Sequence, residues 1–372
     1  MGCLTMRLIP IECVKEGTYL AKTIFDNEGR PLLREGAKLS NKIIEKIKSI
    51  QVYSLYIIDE YSDMEIDDII KPELRQKAIT SVKETFSSLD KFSKSSPSKY
   101  SNKLIKEREL YFESIYDVAE ELLDQILSDN HVMVHLVDIK SLDNYTYQHC
   151  VNVAVLSLIL GIQLQLNKYD LLDLCIGALV HDIGKSFIPT TLLFKEGPLT
   201  KDELLIMKTH TTLGYDYLRN VSGISAKSRI ISLQHHEWYD GTGYPENRRG
   251  EEINKFSRIV SIADVYDALT SDRPYRRALS PNEAIEYIMA NSSTQFDYEI
   301  VKAFSRVIVP YSKGTLVKLS NGDIAVVEDT LPNFPLRPNI KIVKSSDPSR
   351  NGLKIKLVKS LSLVIENIQY TI

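Results

Sequence analysis

Two stretches constrain this chain more than any others: "HCVNVAVLSLILG", residues 149–161, and "DLLDLCIGALVHDIGK", residues 170–185. Both read as strongly apolar helices, which belong in a core. Yet the first opens on His149 and the second ends on His181-Asp182. A neutral imidazole and a carboxylate at the ends or inner faces of buried helices are suited to hold a divalent metal. Such an ion also compensates the cost of burying charged carboxylates.

The remaining histidines extend that pattern. The chain has 7 histidines in 372 residues, and five of them are His149, His181, His210, His235 and His236. Asp182, Asp264 and Asp267 are suited to join them. Together these groups exceed the roughly four to six ligands, water included, that one ion takes, so the surplus suggests two metals bridged by Asp182. Two metals roughly 3.5–4 Å apart can hold a hydroxide and stabilise in-line attack on phosphorus. Lys185 follows Gly184, where the backbone is free to turn, and could place a cation on a non-bridging phosphate oxygen.

Other candidates have plainer readings. His131 and His135 sit four apart without a third ligand and read as structural. Glu237 reads as a support for a histidine rather than a general base. Arg248 and Arg249 belong on an exposed loop.

Along the chain, residues 1–62 read as a small α+β domain. It has a hairpin around "DNEG", an amphipathic helix over "LSNKIIEKIKSI" with Ser40 as N-cap, and a strand at "VYSLYII". Residues 63–123 read as a helical linker with a Ser/Lys-rich mobile segment. Long helical patterns fill 124–310, and 311–372 turn β-rich, with an Asn-Gly turn in "GTLVKLSNGDIAVVED". The fold class is therefore mainly α, an all-helical central domain between two small β-containing units. A net charge of −3 demands neither nucleic acid nor an anionic membrane. Four cysteines without C-x-x-C spacing, no signal peptide and no apolar run near the ~20 residues of a membrane span point to a cytoplasmic protein.

The motifs "YTYQHCVNVA", "HDIGK", "KTHTTLGYDYL", "HHEWYDGTGYP" and "IADVYDALTSDRPYR" occur in that order. The ordered set resembles the HD-GYP family, a subgroup of the HD superfamily of metal-dependent phosphohydrolases, over residues 124–305. The resemblance implies one metal on His149, His181, Asp182 and Asp264, and a second on His210, His235, His236 and the bridging Asp182. It implies a stiff loop of Asp240, Gly241, Gly243, Tyr244 and Pro245 beside the cavity. Asp267 would orient substrate or a metal-bound water, and Arg273 and Arg276 would join Lys185 in contacting substrate, the two arginines standing for the family's arginine-plus-lysine pair. Some members bind a third metal through a glutamate four residues before the first histidine. Tyr145 occupies that position here, which favours two ions, iron or manganese. The implied activity is hydrolysis of cyclic di-GMP to pGpG and, by further hydrolysis, GMP, through a metal-bridging hydroxide. The alternatives are another cyclic dinucleotide such as 3′,3′-cyclic GMP-AMP, or a non-catalytic cyclic-dinucleotide receptor. The end units are suited to dimerisation or to a regulatory protein partner.

Overall fold

A computed structural model describes residues 6–25, 30–50, 52, 54–59, 70–93, 102–128, 145–195, 197–271, 278–311, 313–331 and 334–370. The N-terminal unit contains β1 (Arg7–Pro10), β2 (Tyr19–Leu20), β3 (Ile24–Phe25), β4 (Pro31–Leu33), α1 (Asn41–Ser49) and β5 (Ser54–Ile58). Strands β1, β5 and β2 form an antiparallel sheet, while β3 and β4 form the expected hairpin, its tip lying outside the described residues. Helix α1 starts where Ser40 Oγ accepts a hydrogen bond from the Ile43 amide. Its Ile44 and Ile47 turn inward onto Leu20, Leu39, Leu55 and Ile57.

The helical body comprises α2 (Pro72–Ser93), α3 (Asn102–Ser128), α4 (Tyr145–Gln163), α5 (Lys168–Leu179), α6 (Thr190–Leu193), α7 (Lys201–Lys208), α8 (His210–Leu218), α9 (Ala226–Gln234), α10 (Lys255–Thr270), α11 (Pro281–Ala290) and α12 (Tyr298–Val307). Helix α4 is buried on all sides from Cys150 to Gly161, as its apolar sequence requires. Each of its fully covered Leu and Ile side chains contributes about 1.5–3 kcal/mol through removal from water. Helices α2 and α3 come from the stretch expected as a linker. They place Val82, Phe86, Phe112, Ile115 and Leu122 in the same core as α4 and α5. Their Ser/Lys-rich connection and His131 and His135 lie outside the described residues.

Strands β6 (Leu316–Leu319), β7 (Ile324–Asp329), β8 (Asn339–Lys344), β9 (Lys354–Lys356) and β10 (Ile365–Gln369) make an antiparallel sheet in the order β10-β6-β7-β8-β9. The β6–β7 turn is the expected Asn321-Gly322, with Gly322 at φ +86°. Alternation along β7 and β8 buries Ala325, Val327, Ile340 and Ile342 in this unit's own core. Just beyond β10, Tyr370 packs against the N-terminal core. None of the described helices is long and apolar enough to cross a membrane, and Cys13, Cys150 and Cys175 are free thiols.

Candidate metal centre

Five elements converge on one buried point. His149 lies in the first turns of α4, and Asp264 and Asp267 in the last turns of α10. His181, His210 and His235 each follow the end of a helix: α5, α7 and α9 respectively. All three are at most 1% exposed.

That placement fixes the imidazoles. The last carbonyls of a helix have no partner within it, and each ring supplies one. Nδ1 of His181 bonds the Ala178 carbonyl at 2.7 Å, and Nδ1 of His210 bonds the Met207 carbonyl at 2.7 Å. Nδ1 of His235 lies 3.0 Å and 3.1 Å from the Ile231 and Ser232 carbonyls. A carbonyl only accepts, so Nδ1 carries the proton and Nε2 presents its lone pair inward. His149 obeys the same rule through Asp267 Oδ2, 2.7 Å from its Nδ1.

The inward atoms form two groups that share Asp182. His149, His181 and Asp182 offer ligand atoms within 4.8 Å of one another, as do Asp182, His210, His235 and His236. Asp182 Oδ1 stands 3.5 Å from His210 Nε2 and 3.8 Å from His235 Nε2, while Oδ2 stands 3.4 Å from His181 Nε2. Asp264 spans the two groups from the opposite wall. Its Oδ1 is 3.0 Å from His149 Nε2 and its Oδ2 3.9 Å from His236 Nδ1.

Electrostatics keep these groups in ligand form. Burial would raise the Asp182 carboxyl, but Lys185 and the rings around it outweigh burial and hold it well below the usual range. Asp264 is likewise held far down against burial, chiefly by His149. Burial lowers His210, His235 and His236, the last to about 3, so all three are neutral at pH 7.

A divalent ion fits this donor set. His181 Nε2 and Asp182 Oδ1 are buried with no hydrogen-bond partner among the described residues, an arrangement that costs free energy unless a cation uses them. With Nδ1 of a neutral His149 donating to Asp267, its Nε2 and Asp264 Oδ1 are two acceptors 3.0 Å apart. A cation or a proton between them is required.

Lys185 leaves a 3₁₀ turn after Asp182, pairs with Asp182 Oδ2 at 2.5 Å and remains partly exposed. Gly184 beside it serves close approach rather than turning. An added Cβ would lie 1.8 Å from the His210 carbonyl oxygen. Gly243 is equally constrained, with a Cβ 2.2 Å from the Trp238 amide nitrogen.

The Gly-Tyr-Pro loop folds back over the histidine pair. Tyr244 stacks on His236 with ring centroids 4.9 Å apart, its amide donates to the His236 carbonyl, and Lys208 Nζ lies over the tyrosine ring, 4.7 Å from its centroid. Gly241 takes φ +86°, and the Tyr244–Pro245 peptide is cis. Asp240 closes a local turn by accepting from the amide and hydroxyl of Thr242. Glu237 does not support a histidine as expected. Its two oxygens accept from the Glu246 and Arg248 amides at 2.7 Å and 3.1 Å, tying the loop shut.

Two other expectations meet different outcomes. Asp267 is turned toward His149 and Asn152. It is 3% exposed, with Oδ2 on His149 and Oδ1 accepting from Asn152. One helical turn from Asp264 does give the same face, but Asp267 lies deeper and meets the back of the His149 ring. Arg273 and Arg276 lie outside the described residues. Sequence reasoning missed Asn152 as a site residue, although a polar residue within an otherwise apolar helix was its signal.

Residues 121–300 match the HD domain family, and residues 316–369 match a KOW domain associated with HD domain. A cyclic di-GMP phosphodiesterase of Thermotoga maritima is 30% identical over 282 residues, 73% of this chain and 75% of that protein. One of Pseudomonas aeruginosa is 35% identical, over 62% of this chain and 55% of its own length. A 3′3′-cGAMP-specific phosphodiesterase of Vibrio cholerae is 40% identical, over 44% of this chain and 37% of its own. The chain spans about half the length, or less, of several curated relatives it matches. With the HD domain match, the Thermotoga relative aligned over most of both chains, and the histidine pair running into the Gly-Tyr-Pro loop, this chain belongs to the HD-GYP family of HD-domain proteins.

Proposed function

We propose that the chain is a metal-dependent phosphodiesterase that hydrolyses cyclic di-GMP to pGpG. The observation that carries this reading is the pair of buried His/Asp groups joined through Asp182, with Lys185 at their edge. His149, His181, Asp182 and Asp264 would hold one ion, and Asp182, His210, His235 and His236 a second. Mixed imidazole and carboxylate ligands suit iron or manganese. The ions would supply Lewis acidity, activating water at neutral pH and drawing charge from the phosphoryl oxygens.

The chain's own groups do the rest. Lys185 Nζ reaches the centre from its partly exposed side, where its charge can pass from Asp182 to a non-bridging oxygen as negative charge develops. Its ammonium is raised above its ordinary pKa by Asp182 and Asp264 despite burial, so it stays protonated. Tyr244 and Lys208 wall the centre beside His236, and the Lys208 ammonium offers a phosphate a cation.

The test is a product assay on protein purified without oxygen and supplied with Mn(II) or Fe(II), run beside Asp182→Ala. Cyclic di-GMP and 3′,3′-cyclic GMP-AMP are given separately, because relatives are named for each. Formation of pGpG by the native chain alone supports the reading. Turnover of the mixed dinucleotide only would reassign the substrate, and two inert dinucleotides on a metal-loaded, folded chain would refute the activity.

A further inference from the structure

Arg75 lies in the first turns of α2, outside the residues that match the HD domain, yet it is only 9% exposed. Its Nη1 donates to Asn152 Oδ1 at 3.0 Å. Asn152 Nδ2 donates in turn to Asp267 Oδ1 at 2.9 Å, and Asp267 Oδ2 receives His149 Nδ1 at 2.7 Å. Asn152, Asp267 and His149 are 2%, 3% and 4% exposed, so water does not compete for these bonds.

We propose that Arg75 is a positioning residue for the metal centre, setting the orientation of His149 through Asn152 and Asp267. The inference rests on the metal-holding reading of the site. A guanidinium can only donate, which turns the Asn152 oxygen toward α2 and its amide NH2 toward Asp267. The carboxylate so anchored accepts from His149 Nδ1–H, and the ring's other nitrogen faces Asp182 and Asp264. The Asn152 amide is therefore oriented from both sides, by a guanidinium that only donates and a carboxylate that only accepts. Arg75 also places a positive charge near the buried Asp267 carboxylate, one side chain away through Asn152. Ser271 Oγ, 3.3 Å from Asp267 Oδ2, completes the carboxylate's surroundings. Helix α2 thereby belongs to the machinery of the centre, and a displacement of its first turn would reach a metal ligand through three hydrogen bonds.

The test uses the full chain and Mn(II) titrated into metal-stripped protein, with turnover of cyclic di-GMP as a second readout. Arg75→Met keeps the side chain's length and removes its donors. It should weaken Mn(II) binding about 10-fold, the low end for losing an outer support of a metal-ligating histidine. At saturating metal it should lower kcat with little change in KM. Arg75→Lys should recover part of the loss. Arg75→Met should cost less in an Asp267→Asn background than in the native chain, since both act along one path. If Arg75→Met does not fold, Asn152→Ala carries the test with the same expected loss of Mn(II) affinity. Native Mn(II) affinity in either folded variant, whatever the melting temperature, would overturn the inference while leaving the metal centre standing. A native chain that binds no Mn(II) would overturn both.

Discussion

Replacing Gly184 by alanine adds one carbon at the tightest point of the centre. Built on the existing backbone, that carbon lies 1.8 Å from the His210 carbonyl oxygen, 2.8 Å from the His210 carbonyl carbon and 2.7 Å from the Gly214 nitrogen. All three are backbone atoms, so no side-chain rotation relieves the clash. Reaching even 3.0 Å, a separation real Cβ contacts rarely undercut, requires α8 and the 3₁₀ turn to part by about 1.2 Å. His210 begins α8, and Asp182 lies two residues before Gly184, so the movement lengthens the 3.5 Å separation between their ligand atoms. Overpacking of this kind costs about 1–3 kcal/mol. A misplacement of about 1 Å costs on the order of 100-fold in turnover. The expected variant folds with a melting temperature several degrees lower, binds Mn(II) more weakly and turns over about 100-fold more slowly. Calorimetry, metal titration and the product assay read the three effects. An alanine variant with native Mn(II) affinity and native turnover would refute the argument that backbone contact at Gly184 sets the place of His210.

Asp182→Ala should remove metal binding from both groups at once, because each includes that carboxylate; metal analysis showing half the native content would instead assign it to one. Glu237→Ala leaves the Glu246 and Arg248 amides without acceptors, at about 1–3 kcal/mol. Limited proteolysis should then cut within residues 238–250, and a loop as resistant as the native one would contradict that role. In metal-stripped protein, His210, His235 and His236 are held below their ordinary value of 6.5 in the fold but are free to take up protons when unfolded. Their contribution to stability is complete above about pH 7 and is lost as pH falls below about 6.5, so urea midpoints should drop between pH 7.5 and 5.5. A flat midpoint across that range would show the rings are not held neutral. Adding Mn(II) at pH 7.5 should raise the midpoint, since an ion that binds only the folded chain stabilises it by mass action.

Much of this arrangement was legible because its signals are local. The apolar run after His149 requires a buried helix, Ser40 caps α1 through its own hydroxyl, and Asn321-Gly322 turns β6 into β7. The histidines and Asp182 declare their chemistry by residue type. What the sequence withheld depends on direction in space. Glu237 and Asp267 are both carboxylates beside histidines. One closes a loop through two amides and the other braces a ring, and no spacing rule separates the two roles. The stretch 63–123 read as a linker because its polar break is conspicuous. Whether the flanking helices meet a core is decided by contacts with α4 and α5, far away in sequence. Arg75 gave no signal, since its partner Asn152 is 77 positions distant.

The three histidines that follow helices show why a centre of this kind grows from helix ends. A helix must stop somewhere, and its last carbonyls then need donors. An imidazole placed there satisfies one carbonyl with Nδ1–H and, by that bond, is left with Nε2 as its only lone pair. His181 does this for α5, His210 for α7 and His235 for α9. The bond that adds a side-chain donor to each helix end is also the one that selects the tautomer, so local stability and readiness for metal are not separate demands at these positions. His149 sits at the start of α4, where the nearby unpaired groups are amides rather than carbonyls. No helix end can perform the same service for its ring, and a carboxylate must be brought in from α10. That carboxylate is buried and charged, and needs an anchor of its own, which Asn152 and then Arg75 provide. The long polar path to α2 follows from the place of His149 in the first turns of α4, where its ring is braced by a carboxylate instead of a helix-end carbonyl.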